Sequence, residues 1–300
     1  MAYDEAFKSV LISNQAKLSL KLNHLVIKQD EKEAKIFLKD INIIILESLQ
    51  VNITSSLLSA LAKYKIILLT CDESHNINGI FSPFLGHFIG AKVAKKQIKV
   101  SLQRKAILWQ KIIKNKISNQ AYILKITNHI KEAKELLSMA KNVSLNDSKN
   151  LEARAAALYF KTLFGNDFTR NELCFINSAL NYGYTIIRSL IVRAVCISGL
   201  LPWQGIKHNN LYNNFNLCDD LIEVFRPLID LCVFKLKDTK DSEFLDKETK
   251  QKLISILQEE IIIENKAYPL NRAINFYVQN FKNALLENDE LTMVNLYDRR

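Results

Sequence analysis

With 300 residues, 48% of them apolar and 24% charged, the chain has enough hydrophobic side chain for one large or two ordinary domains, and the charge content of a soluble protein. Seven glycines and four prolines favour long helices over a loop-rich or all-β fold, and no apolar run exceeds six residues, which excludes a helical membrane span. Five cysteines without C-x-x-C spacing argue against a disulfide frame or zinc knuckle, and 41 basic against 31 acidic residues, a net charge of +10, favour a polyanionic partner.

The N-terminus, Met1 to Glu5, carries acids and lacks the apolar core of a signal peptide, so a cytoplasmic protein with reduced, buried cysteines is expected. Residues 9–12, 17–22, 24–28, 34–38 and 42–46 are short β-rich runs. Residues 52–64 read as one helix, capped by Thr54 or Asn52, with Leu57, Leu58 and Leu61 as its apolar stripe. Residues 65–71 read as a central strand, Asn76 to Gly79 as a turn, and Pro83 as a domain boundary. His24 and His75 are lone histidines that turn or surface positions explain. The expected class is α+β, with a small β-rich domain over 1–83 and a large all-α domain over 84–300.

From Ser74 to Lys131 there is no Asp or Glu, while Lys92, Lys95, Lys96, Lys99, Arg104 and Lys105 open a long basic series. Val93, Ile98, Leu102, Ile107, Ile112 and Ile117 give that series helical spacing. Solvated helix faces usually mix both signs, and a run of one sign repels itself unless an anion relieves it. Phosphate is the obvious anion, whereas a membrane surface would call for a stronger aromatic and apolar face.

Residues 132–150 return to mixed charge and end in a polar loop that can cap the next helix. That helix, 151–165, ends on Gly165 and carries Glu152 in its first turn, where an acid complements the helix dipole by ~0.3–1 kcal/mol. By itself Glu152 needs no further function. Residues 171–200 form a mostly apolar helix on which Asn177, Asn181, Tyr184 and Arg188 share one face. Such a stripe is either a core hydrogen-bond network or the wall of a polar site, and Gly183 marks a close approach.

Gly199, Pro202 and Gly205 constrain a loop that leads to His208. About eleven residues later Asp219, Asp220 and Glu223 crowd one side of a helix that Asn213, Asn214 or Asn216 can cap. Dipole complementation accounts for Asp219 and Asp220 but less well for Glu223. Pro227 removes the N–H that would bond the Glu223 carbonyl, so the helix should loosen there, and Arg226 can pair with a carboxylate. Carboxylates with one imidazole suit Mn²⁺ or Mg²⁺ better than zinc, and in a basic protein such a metal fits phosphodiester chemistry.

Four blocks in register carry a resemblance: Leu151–Phe160 around Glu152, Asn177–Tyr184, Gly199–His208, and Asn216–Pro227. Together they resemble family one of the CRISPR-associated proteins, the metal-dependent DNA endonuclease and integrase of spacer acquisition, in a form similar to members from single-effector (type II) systems. The likeness runs over nearly the whole chain, a β-rich half followed by a helical half. It implies that Glu152, His208 and Glu223 hold a divalent metal, Mg²⁺ or Mn²⁺, that Asp219 or Asp220 supports or substitutes for a ligand, and that Asn181, Tyr184 and Arg226 stand behind the set. Lys92, Lys95, Lys96, Lys99, Arg104, Lys105, Arg188 and Arg193 would track the DNA backbone. It further implies a homodimer paired through the β domains, a small companion subunit bridging two dimers, double-stranded DNA, and the large effector nuclease as partners. Val224 departs from the commoner family pattern, which has Pro there. The rival classes are a non-catalytic basic helical nucleic-acid-binding protein with a structural acidic turn, and an unrelated metal-dependent phosphohydrolase.

The rest of the chain reads as a helical extension over 231–237, a loop over 238–244, a helix over 246–260, a helix capped by Asn271, and a charged, frayed tail from Asn288.

Overall fold

The computed structural model describes residues 6, 8–74, 76–83, 87–237, 245–263 and 266–296. The expected loop over 238–244 and the expected turn position of His75 lie outside the described residues.

Two four-stranded sheets build the N-terminal part. One runs β1 (Lys8–Ile12), β5 (Ile41–Leu46), β7 (Ile67–Cys71), β8 (Ile77–Phe81), parallel except for the last pair. The other runs β4 (Lys32–Phe37), β3 (His24–Gln29), β2 (Ala16–Lys21), β6 (Val51–Ile53). Every residue of β5 is buried, as a strand covered on both faces requires. Ile44 and Leu46 face a core shared with the second sheet and α1 (Ser55–Tyr64), and Ile43 and Ile45 face the helical core. Ile67, Leu69 and Cys71 of β7 join that helical core too, so the β domain is sealed to the helices through β5 and β7 together.

The helical part is α2 (Gly90–Ile98), α3 (Leu102–Ile126), α4 (Ile130–Lys141), α5 (Leu151–Phe164), α6 (Phe175–Ser198), α7 (Asn216–Ile222), α8 (Arg226–Leu236), α9 (Lys247–Ser255) and α10 (Leu270–Glu287). Helix α6 is buried on nearly all sides and packs on α7, α8, α9 and α10. Gly183 lets α8 approach, since a Cβ there would lie 2.7 Å from Ile229 Cγ2.

The α+β class holds, with several local differences. Residues 76–79 are not a turn: β8 pairs antiparallel with β7, and Gly79 is needed because Thr70 Oγ1 would lie 2.2 Å from a Cβ there. The reversal sits earlier, where Asp72 Oδ1 accepts from the Ser74 and Asn76 amides. Residues 51–53 form an edge strand and the helix starts after its Thr54 cap. The central helix begins at Phe175 rather than 171. The helical part also holds a three-stranded antiparallel sheet, β10 (Lys266–Pro269), β9 (Glu260–Ile263) and β11 (Val294–Asn295), so the helix expected over 246–260 stops at Ser255 and passes through one 3-10 turn. Asn271 does not cap α10; its side-chain amide donates to the Ala6 carbonyl. The stretch from Leu291 to Val294 is packed, not frayed, because Asn115 exchanges two 2.8 Å hydrogen bonds with the Val294 backbone.

Candidate active site

Three elements bring carboxylates and one imidazole to the same place. Asp147 accepts from the Leu151 and Glu152 amides at 2.9 Å each, which caps α5 and fixes its first turn, so Glu152 leaves the helix at a set angle. Glu223 lies in the break between α7 and α8, where Pro227 stops the helical ladder as expected. Asn119 of α3 is buried and donates at 2.8 Å to the Val224 carbonyl, which pins that break to α3.

Lys116 of α3 stands between the two acids, its Nζ 2.7 Å from Glu152 Oε1 and 2.5 Å from Glu223 Oε2. The Glu223 contact is ionic without hydrogen-bond alignment, so Oε2 is a buried oxygen with no aligned donor. Arg226 Nε donates to Glu223 Oε1 at 2.9 Å. Burial raises the Glu223 carboxyl, but Arg226 and Lys116 outweigh it and hold the group at about 2. Burial likewise opposes the Lys116 charge, and Glu223 and Glu152 outweigh it, so the ammonium keeps its proton above the usual lysine range.

His208 sits at the mouth of the site, edge-on to Trp109. Asp220 is fully buried and holds the whole loop: it accepts from the Ile206, Lys207 and His208 amides and from His208 Nδ1 at 2.8 Å. That bond raises the His208 pKa, against burial. It also leaves Nε2 as the ring nitrogen directed to a ligand, the arrangement found for metal-bound histidines. Gly205 is obligatory here, since a Cβ would lie 2.2 Å from the His208 carbonyl oxygen and 2.9 Å from Asp220 Oδ2. Asp219 pairs with Arg188 at 2.7 Å and accepts from Asn213 at 2.6 Å. Asp219 does lie in the first turn of α7, as the helix-dipole reading expects, but it also anchors Arg188, and Asp220 anchors the loop. The asparagines do not cap α7; Asn216 instead donates to the Trp203, Asn210 and Asn213 carbonyls and ties the loop to itself.

The α6 stripe forms one wall of the cleft. Arg170, from the α5–α6 connection, donates to Asn177 and, at 2.9 Å, to Asn181, and lies over the Tyr184 ring. Arg226 lies over the other part of that wall, 4.5 Å from the Tyr184 ring centre, and the Tyr184 hydroxyl donates to buried Asp230. A cleft of about 340 Å³ joins Arg170, Asn181, Tyr184, Arg188, His208 and Arg226.

Among the described residues, no three His, Cys, Asp or Glu side chains stand close enough to hold a metal as they are placed. The donor chemistry still fits a hard divalent cation: two carboxylates already converge on one positive charge, and the Glu223 charge reaches an imidazole whose other nitrogen is fixed. Of the expected DNA-contacting residues, Lys92 and Lys95 on α2 and Lys99 just past its C-terminal end are exposed. Lys96 is paired with Glu287 at 2.8 Å, and Arg188 is paired with Asp219. Arg193 is not a surface residue: it is buried and donates to the Lys65 carbonyl. Arg104 is spent on the C-terminal end of α10, donating to the Ala284 and Asp289 carbonyls. Sequence reasoning missed Lys116, Arg170 and Asp230 as site residues. Lys116 and Gln120 interrupt the buried series Trp109, Ile112, Ile113, Ile117, Ala121 and Leu124, a polar intrusion in an apolar stripe that was open to reading.

The family model for the CRISPR associated protein Cas1 matches residues 10–262. The CRISPR-associated endonuclease Cas1 of Neisseria meningitidis serogroup C is 40% identical over 277 residues, covering 92% of this chain and 91% of that protein. A casposase bound to integration product superposes with a TM-score of 0.78 at 18% identity, covering 94% of this chain and 92% of that one. A Cas6-RT-Cas1–Cas2 complex superposes with a TM-score of 0.73 at 19% identity, over 99% of this chain and 36% of that longer one. The solved structures share this fold, and the family match with the curated relative defines a CRISPR-associated endonuclease. The chain belongs to the Cas1 family of CRISPR-associated proteins.

Proposed function

We propose that this chain joins the 3′-hydroxyl ends of short invader-derived DNA duplexes to the CRISPR repeat array by transesterification, at a divalent-metal site formed by Glu152, His208 and Glu223. The observation that carries the reading is the convergence of Glu152 and Glu223, from two distant helices, on a single cation, with the Glu223 charge acting on the oriented imidazole of His208. Mg²⁺ or Mn²⁺, bound there, supplies Lewis-acid stabilisation of the charge that develops at the attacked phosphate.

The protein's own groups do the rest. Arg226 holds Glu223 ionised and in place, and Asp220 orients the His208 ring. Arg170 and Arg188, on the cleft wall, offer guanidinium groups to the phosphates on either side of the attacked one. Water in place of the DNA hydroxyl gives nicking by the same geometry. Residues 1–83 serve as the dimerisation domain and residues 84–300 as the catalytic and DNA-binding domain. Two homodimers flank a small companion subunit, a reading supported by the likeness to the Cas6-RT-Cas1–Cas2 complex. No helix among the described residues is long and apolar enough to cross a membrane.

The test is strand transfer of a labelled duplex into a repeat-bearing plasmid with Mn²⁺. Glu152→Ala, His208→Ala and Glu223→Ala should each abolish joining while leaving DNA binding intact. Full activity in any one of them removes that residue from the ligand set.

A further inference from the structure

The two carboxylates at the centre of the site are already neutralised. Glu152 and Glu223 face Lys116 and Arg226, so two negative charges meet two positive ones before any metal enters. A divalent cation added to that group would raise its net charge to +2 in a largely buried place, which Coulomb repulsion from the ammonium opposes. Arg226 is engaged with Glu223 through Nε and stacked on Tyr184, so it is not the group that yields.

Lys116 has somewhere to go. A cavity of about 150 Å³ adjoins it, lined also by Gln120, Arg170, Tyr184, Glu223, Arg226 and Asp230, so an ammonium moving into it leaves Glu152 but stays near Glu223. Gln120 lies one helical turn beyond Lys116, is only 2% exposed, and its Oε1 has no hydrogen-bond donor. Buried acceptors without donors are rare and costly. This one borders the space that a withdrawn ammonium would enter, with the Asp230 carboxyl on the same wall.

We propose that Lys116 is a two-position counter-ion: it bridges Glu152 and Glu223 in the metal-free protein and withdraws to Gln120 Oε1 when a divalent metal takes the carboxylates. This rests on the ligand set proposed above. The bridging state keeps the metal-free site folded and neutral, and it lowers the apparent metal affinity by the fraction of molecules it occupies.

The experiment is Mn²⁺ binding to the full chain, without DNA, followed by electron paramagnetic resonance or calorimetry. Lys116→Met removes the competing charge and should bind Mn²⁺ roughly tenfold tighter or more. It should also make the melting temperature strongly Mn²⁺-dependent, because the metal then supplies the missing cation. Gln120→Leu removes the receiving acceptor and should weaken Mn²⁺ binding by several-fold. Unchanged or weaker binding in Lys116→Met, or unchanged binding in Gln120→Leu, overturns the proposal. If Lys116→Met does not fold, Gln120→Leu decides alone. A control separates the two readings: if Mn²⁺ binding survives Glu152→Ala and Glu223→Ala, the metal is elsewhere and both fall.

Discussion

Asp220 is the side chain on which the imidazole depends. It is fully buried and its two oxygens accept four hydrogen bonds from residues 206–208. Asp220→Ala leaves those donors unmatched, and a loss of about 3–5 kcal/mol in urea unfolding is expected, together with loss of strand transfer. Retained stability would mean that the loop is held by other contacts. Asp230 behaves oppositely. Burial pushes its carboxyl up to about 6, against the hydrogen bond from Tyr184 and the Arg226 and Arg170 charges. A carboxyl that holds its proton more tightly when folded contributes fully below its unfolded value, near 3.8, and loses that contribution as pH rises through about 6. Relative to Asp230→Asn, the wild type should therefore lose about 1 kcal/mol between about pH 5 and about pH 8, as read from paired melting curves. A parallel pH response would show that Asp230 stays ionised throughout. These roles were only partly legible in the sequence. The break at Glu223 and the Arg226 pair followed from Pro227 and helical spacing. Asp220 could not be told from its neighbour Asp219, because spacing places both near one helix end and only the fold shows which one turns inward.

Among the elements, the loop from Gly199 to Asn216 and the α6–α8 contact each depend on a missing Cβ. Gly205→Ala would place a methyl within 2.2 Å of the His208 carbonyl oxygen, so the loop must shift and take the imidazole with it. Strand transfer should fall by more than about tenfold in this variant, and the melting temperature should fall too, because the added methyl also crowds Asp220, which holds the loop. Gly183→Ala acts in the core instead. Its Cβ would lie 2.7 and 2.9 Å from Ile229 atoms, and overpacking of that kind costs about 1–3 kcal/mol. The expected signature is a lower melting temperature, with activity per folded molecule retained. The helices and most strands were readable because their apolar periods are clean, as in the α1 stripe of Leu57 and Leu61. The strands β6, β8, β9, β10 and β11 were not. They are two to five residues long and exist because a neighbouring strand offers unpaired backbone, a tertiary fact that local sequence does not carry.

For the molecule as a whole, the net charge of +10 is not spread evenly, and the fold decides which part of it is free. In the acid-free segment Lys116 is committed to the site, Arg104 to the end of α10, and Lys96 and Lys111 to Glu287 and Glu290. Helix α2 turns Val93 and Gln97 inward, where Gln97 bonds the Leu201 and Gln204 carbonyls behind the catalytic loop, and it leaves Lys92, Lys95 and, at its C-cap, Lys99 exposed. The helix that braces the His208 loop is thus also the one that presents uncommitted charge. If these lysines track the DNA backbone, replacing all three by Gln should release about three fewer counterions on binding. The slope of log affinity against log salt should then fall by about 2–3, with affinity at moderate salt at least about tenfold weaker. Lys96→Gln, whose charge Glu287 already balances, should change the slope less than any one of the three. The measurement is fluorescence anisotropy of a labelled duplex across a salt series. An unaltered slope in the triple variant would place the DNA path away from α2, whereas a slope lowered as much by Lys96→Gln would show that DNA displaces Glu287 from its lysine.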